Sequence, residues 1–106
     1  MVMDGSSAAF AYDFAVNKIY YRRLSDSEVE VTFLDEHNND NAYAGNVVIP
    51  KSVNYNGVAY KVVAIGDRAF QMCWQLTGVT IPSSVTRIGE YAFNGCIKMK
   101  TLQIPA

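Results

Sequence analysis

The thiols and the imidazole of this 106-residue chain, side chains suited to nucleophilic or metal chemistry, are Cys73, Cys96 and His37. Twenty-two residues separate the two thiols, far from the C-x2–4-C spacing that wraps a chain around zinc. His37 stands in "DEHNNDN", where Asp35, His37, Asn39 and Asp40 offer oxygen and nitrogen ligands of the kind calcium takes. An EF-type loop starting at Asp35 needs glycine in its sixth place and a carboxylate in its twelfth; Asp40 and Asn46 stand there instead. A solvated surface loop is the expectation for this segment, with no metal. No G-x-S-x-G, H-E-x-x-H, P-loop or paired-carboxylate pattern occurs, and one histidine leaves few nucleophile–base pairs. The expectation is a chain without catalysis or cofactor.

The surroundings of the two cysteines explain their spacing. "IGDRAFQMC" (65–73) returns as "IGEYAFNGC" (88–96), 23 positions on. At that offset Ile65/Ile88, Gly66/Gly89, Ala69/Ala92, Phe70/Phe93, Cys73/Cys96, Ile81/Ile104 and Pro82/Pro105 are identical. A partial third copy, "VVIPKSV" (47–53), echoes "VTIPSSV" (79–85) at an offset of 32, which is 23 plus an insertion of nine. The insertion falls at "NYNGVAYKV", where Asn56-Gly57 between alternating apolar residues predicts a hairpin. A fixed period of this length is the signature of stacked coils, each able to bury its apolar face only against a neighbour.

Within one unit, Leu76, Val79 and Ile81 follow L-x-x-L-x-L, the short inward-facing strand of a leucine-rich repeat, and Pro82 ends it. Val85 and Ile88 face inward on the return. "EYAFNGC" reads as about two turns of α- or 3₁₀-helix, with Ala92 and Phe93 as buried knobs and Gly95 supplying a positive φ. The predicted fold is therefore α+β: a short solenoid of 23-residue repeats, with parallel β rungs joined by helical turns. Adjacent rungs lie about 4.8 Å apart, which would admit a Cys73–Cys96 disulfide. Both cysteines occupy an inward position, however, and two buried thiols are the preferred reading.

The stretch from Ile65 to Ala106 resembles the BspA-type leucine-rich repeats of bacterial surface proteins, whose pattern I-G-x-x-A-F-x-x-C-x-x-L-x-x-V-x-I-P-x-S-V runs through residues 65–85, and the resemblance covers residues 45–106. That resemblance implies a secreted or cell-surface, adhesin-like protein that binds host or extracellular proteins or glycoproteins without catalysis. The chain departs from the pattern at Met72, where glycine is usual, and at Trp74 and Ile97, where a small polar residue is usual.

Upstream, "YDFAVNKIYYRRL" alternates around Asn17-Lys18 and predicts another hairpin. "SEVEVTFL" (27–34) predicts a third strand, with Val29, Val31 and Phe33 on one face. The domain reading is a disordered or vector-derived start at 1–9, an N-terminal antiparallel β cap with a polar loop at 10–44, and repeats at 45–106. The cap is expected to pair onto the strand at 46–49, covering an end that a repeat stack leaves bare. The C-terminal rung at "LQIPA" has no such cover, so the expectation is either self-association through it or continuation into further repeats.

Half the residues are hydrophobic and 18% are charged, which excludes a disordered chain. Residues 1–45 carry eight acids and three bases, and residues 46–106 six scattered bases and two acids, giving −5 and +4. No basic patch for nucleic acid results. No apolar run reaches the roughly 20 residues of a membrane span, and no signal peptide is evident. Two surfaces remain as candidate binding sites. One is a loop ridge of Met72, Trp74 and Ile97 rimmed by Gln75 and Lys98, which could equally cover the seam between coils. The other is an outward row on the strands, Val48, Thr80 and Gln103, with Thr77 and Lys100 beside it. Binding of a protein, assembly through the open rung, and stacking of sugars on tyrosines and Trp74 all remain open.

Overall fold

The computed structural model describes residues 12–35, 39 and 42–105. The start at 1–9, His37 and Asp40 lie outside them. Nine strands form two sheets: β1 (Phe14–Val16), β2 (Ile19–Arg23), β3 (Glu28–Val31), β4 (Ala44–Val48), β5 (Ser52–Tyr55), β6 (Val58–Ile65), β7 (Gln75–Thr80), β8 (Arg87–Ile88) and β9 (Thr101–Gln103). Both predicted hairpins form. Their turn residues, Asn17 and Lys18 (φ 51° and 68°) and Asn56 and Gly57 (φ 51° and 79°), take the left-handed pair that matches strand twist.

One sheet runs β1-β2-β3-β6-β5, with β8 added in parallel at the end of β6. It curls until its outer strands meet, nearly closing like a barrel, and the Phe14 and Tyr55 rings stack there at 4.2 Å. The other sheet, β4-β7-β9, is parallel throughout, pairing Val47 with Val79 and Val79 with Leu102. Between the sheets lie Val29, Val31, Val62, Ile65, Phe70, Leu76 and Val79, all buried.

The α+β expectation is overturned: the described residues are all β and contain no helix. The hydrogen bonds give the reason. In the segment after β6, only alternate N–H groups bond locally: Ala69 to Gly66 O, Gln71 to Arg68 O and Cys73 to Phe70 O, at 3.1–3.2 Å. The intervening N–H groups leave the coil altogether. Arg68 N–H donates to Glu90 O at 2.9 Å, Phe70 N–H to Ala92 O at 2.8 Å and Met72 N–H to Asn94 O at 2.7 Å. A helix would commit every N–H to its own chain four residues back. Here half of them form a third ladder between coils, and the segment is a run of tight turns.

The cap is also attached differently from the expectation. β3 pairs in parallel with β6, not with the strand at 46–49, because the inserted hairpin extends the second coil to meet it. Val29 and Val31 are buried, but Phe33 stands outside the core with the Arg22 guanidinium 6.0 Å from its ring centre. Glu30 is buried beside Gly66 and bridges Arg22 (3.6 Å) and Arg87 (3.3 Å), tying β2 to β8.

The expected solvated loop is not one where it is described: Asn39, Ala42 and Tyr43 are buried. Tyr43 continues an aromatic column, 4.6 Å from Phe70, which in turn stacks on Phe93 at 5.2 Å. Its hydroxyl donates to Thr32 O at 2.8 Å and accepts from Tyr20 N–H at 3.0 Å. Burial pushes that phenol well above its ordinary pKa.

Asn39 substitutes for a missing coil. Ala69 O and Gln71 O lie 23 positions below Ala92 O and Asn94 O, the acceptors of the turn ladder. Their donors come from the Asn39 carboxamide, at 3.4 Å and 2.8 Å. Its Oδ1 accepts Leu34 N–H at 2.9 Å. Its backbone carbonyl accepts Cys73 Sγ–H at 3.4 Å, as Phe70 O accepts Cys96 Sγ–H at 3.0 Å one coil on. Replacing Asn39 by alanine strands the buried Ala69 carbonyl and the part-buried Gln71 carbonyl and Leu34 N–H, an expected loss of about 2–4 kcal/mol in urea unfolding. Asn39→Asp keeps the acceptor but not the donors and should lose at least as much; a wild-type midpoint for either variant would refute this role.

Candidate interaction surface

The turn ladder dictates what the outer rim of each coil can carry. For alternate N–H groups to keep pointing along the stack, the chain must pass through the left-handed region at equivalent places. It does so at Arg68 (φ 60°), Met72 (62°), Tyr91 (59°) and Gly95 (80°). Glycine suits that conformation; a residue with a Cβ bears roughly 1 kcal/mol or more of strain there. Three of the four positions nevertheless hold large side chains, and all three are exposed. The Arg68 guanidinium carbon sits 5.7 Å from the Tyr91 ring centre, one coil away. Met72 lies across Gly95, where a Cβ would press on its sulfur.

Trp74 and Ile97 follow on the same rim, one per coil, and both are exposed, Ile97 at 76%. Neither belongs to the core cluster. Gln75 and Lys98, each next in sequence, are exposed beside them. The predicted ridge residues Met72, Trp74, Gln75, Ile97 and Lys98 are all exposed, as are Arg68 and Tyr91, which sequence reasoning did not nominate. The 23-residue offset that places Arg68 in register with Tyr91 was the available signal.

The other predicted row is brought together on the outer face of the parallel sheet. Val48 pairs with Thr80 and Thr80 with Gln103, and the Thr80 hydroxyl lies 3.5 Å from Gln103 Oε1. Lys100 N–H donates to Thr77 O at 2.8 Å, and both side chains are exposed next to that row. Apart from Val48 this face is polar, and among the described residues of its strands it carries no aromatic side chain.

Neither surface holds reactive groups. Cys73 and Cys96 form no disulfide. Cys73 is fully buried, and burial raises the Cys96 thiol above its ordinary pKa, so neither is a ready thiolate at neutral pH. Among the described residues no three histidines, cysteines or carboxylates gather as a metal site.

The family model of a BspA-type leucine-rich repeat region, built of six copies, matches residues 63–106. Those residues are BspA-type leucine-rich repeats. Solved structures extend the likeness upstream of the repeats. A leucine-rich repeat protein from Bacteroides ovatus is 41% identical over 89% of this chain, with a TM-score of 0.76. One from Bacteroides capillosus is 32% identical over 85%, with a TM-score of 0.67. The Treponema pallidum leucine-rich repeat protein is 28% identical over 88%, with a TM-score of 0.65. This chain spans only 24%, 63% and 39% of those three proteins. No curated protein matches it. In these BspA-type repeats Cys73 is a buried core group, whereas Cys96, expected to be buried, is only half-buried; each S–H bonds a backbone carbonyl of the layer before it. Iodoacetamide at neutral pH should therefore leave Cys73 of the folded protein unmodified, label the half-buried Cys96 slowly, and label both in urea, read by intact mass; rapid labelling of the native Cys73 would contradict its buried place.

Proposed function

We propose that this chain is a non-catalytic binding module of a bacterial cell-surface or secreted protein, and that it holds a protein or glycoprotein partner through the turn ridge. The observation that carries this reading is the retention of Arg68, Met72 and Tyr91 in left-handed backbone where glycine would be relaxed. Strain kept at exposed positions, where burial returns little, points to a use outside folding. Arginine, tyrosine and tryptophan are also the side chains over-represented in binding hot spots, and Arg68, Tyr91 and Trp74 stand on one rim. The resemblance to BspA-type repeats supports a surface location, and adhesion is the use we propose for it. A sugar ligand would meet the same Trp74 and Tyr91 rings.

The test sets stability against binding. Arg68→Gly and Tyr91→Gly should leave stability unchanged or raise it by up to about 1 kcal/mol in urea. The same variants, and Trp74→Ser/Ile97→Ser, should lose binding to immobilised mucin and extracellular-matrix glycoproteins in biolayer interferometry. Undiminished binding by all three variants would move the site to the Val48/Thr80/Gln103 face.

A second reading, assembly through the last coil, has its own support. Ile81 is 4% exposed and its repeat partner Ile104 is 60% exposed. Ile65 and Val79 are likewise buried, whereas Ile88 and Leu102 are exposed. The face formed by Ile88, Leu102 and Ile104 is the one that the second coil covers on the first. Light scattering should then show mass rising with concentration, and Leu102→Glu/Ile104→Glu should hold the protein monomeric; a monomer at every concentration removes this reading.

A further inference from the structure

At the opposite side of the parallel sheet, β4 presents a free edge with a groove in front of it. Ile49 N–H donates to Thr80 O at 3.0 Å. Alternation along a parallel ladder then turns the N–H and C=O groups of Asn46 and Val48 away from β7. Among the described residues no strand pairs with that edge. The β1–β2 hairpin covers the end of the core without reaching it. Asn17, Lys18 and Ile19 form one wall and β4 from Ala44 to Val48 the other, enclosing about 380 Å³. A second hollow of about 420 Å³ continues past Val48 to Pro50 and Asn54, over Ile19, Tyr21 and Val53. The two share Asn17, Ile19 and Val48, so the groove follows the strand.

We propose that this groove takes an extended, acid-bearing peptide segment of a partner protein, added to β4 as a further strand. The exposed edge supplies main-chain donors and acceptors at the two-residue spacing an extended peptide needs. The buried floor residues Ile19, Tyr21 and Val53 suit apolar side chains at alternate peptide positions. Among the described residues Lys18 is the one charged side chain lining either hollow, so electrostatic complementarity calls for a carboxylate. A second copy of this chain fits less well. Its available strand, β9, is uncharged and follows Lys98 and Lys100, which would set cations against Lys18. β4 already pairs in parallel with β7, so its backbone is shaped for a ladder on the open side. The site is separate from the turn ridge, and its failure would leave the ridge reading untouched.

The test uses ¹⁵N-labelled protein and two blocked heptapeptides, one alternating valine with glutamate and the other valine with lysine. The glutamate peptide should shift the Asn46 and Val48 amides, slow their hydrogen exchange, and bind about fivefold more tightly than the lysine peptide. Lys18→Glu should invert that order. Val48→Pro removes an outward N–H while sparing the bonds to β7, so it should keep the melting temperature and abolish peptide binding. The proposal is overturned if neither peptide perturbs these amides at millimolar concentration, or if the shifts survive Val48→Pro. Amide shifts that track protein concentration without peptide would make the occupant a second copy, and overturn it equally.

Discussion

The interaction on which the molecule depends is the ladder between coils in the turn segments. Alternate N–H groups at Arg68, Phe70 and Met72 cross to carbonyls of the next coil, while the groups between them close tight turns at home. Left-handed residues follow, since the chain must reset its direction at each crossing. Close approach follows too: a Cβ on Gly89 would collide with the backbone of Asp67, whose carboxylate accepts Glu90 N–H at 2.9 Å. Strands stacked by the same bonds set Phe70 on Phe93 and Cys96 against Phe70 O. Packing and hydrogen bonding thus share one spacing, and neither could change alone.

Much of this was legible in the sequence, for physical reasons that differ by element. The repeat was legible because buried positions tolerate few residue types, so Ile, Ala, Phe and Cys recur where Asp67, Arg68 and Gln71 do not. Both hairpins were legible because Asn-Lys and Asn-Gly flanked by alternating apolar residues offer the chain few other conformations. The outward row of Val48, Thr80 and Gln103 was legible because strand alternation is strict once the register is known.

What was misread turns on where backbone donors go, which side chains do not encode. "EYAFNGC" places Ala92, Phe93 and Cys96 at a spacing that one face of a helix also gives, and the neighbouring coil, bonding through alternate N–H groups, makes it a run of turns. Asn39 looked like solvent-facing loop because its segment is polar throughout; nothing local marks one asparagine as the partner of carbonyls thirty residues away. Phe33 followed the alternation of β3, but the strand ends at Val31, and beyond its end nothing holds the two-residue period. Arg68 and Tyr91 were passed over because their defining property is a backbone angle.

The offset of the turn ladder also bears on how such a chain can lengthen. Arg68 bonds residue 90, Phe70 residue 92 and Met72 residue 94, so each donor reaches 22 positions ahead while equivalent residues stand 23 apart. A tandem duplication of one 23-residue unit therefore arrives with its donors, acceptors, left-handed positions and core residues already in phase with the unit beneath it. A duplication one codon longer or shorter would turn the inward residues of the new strand outward. The spacing is in effect a reading frame at the level of the fold, and it favours growth by whole units.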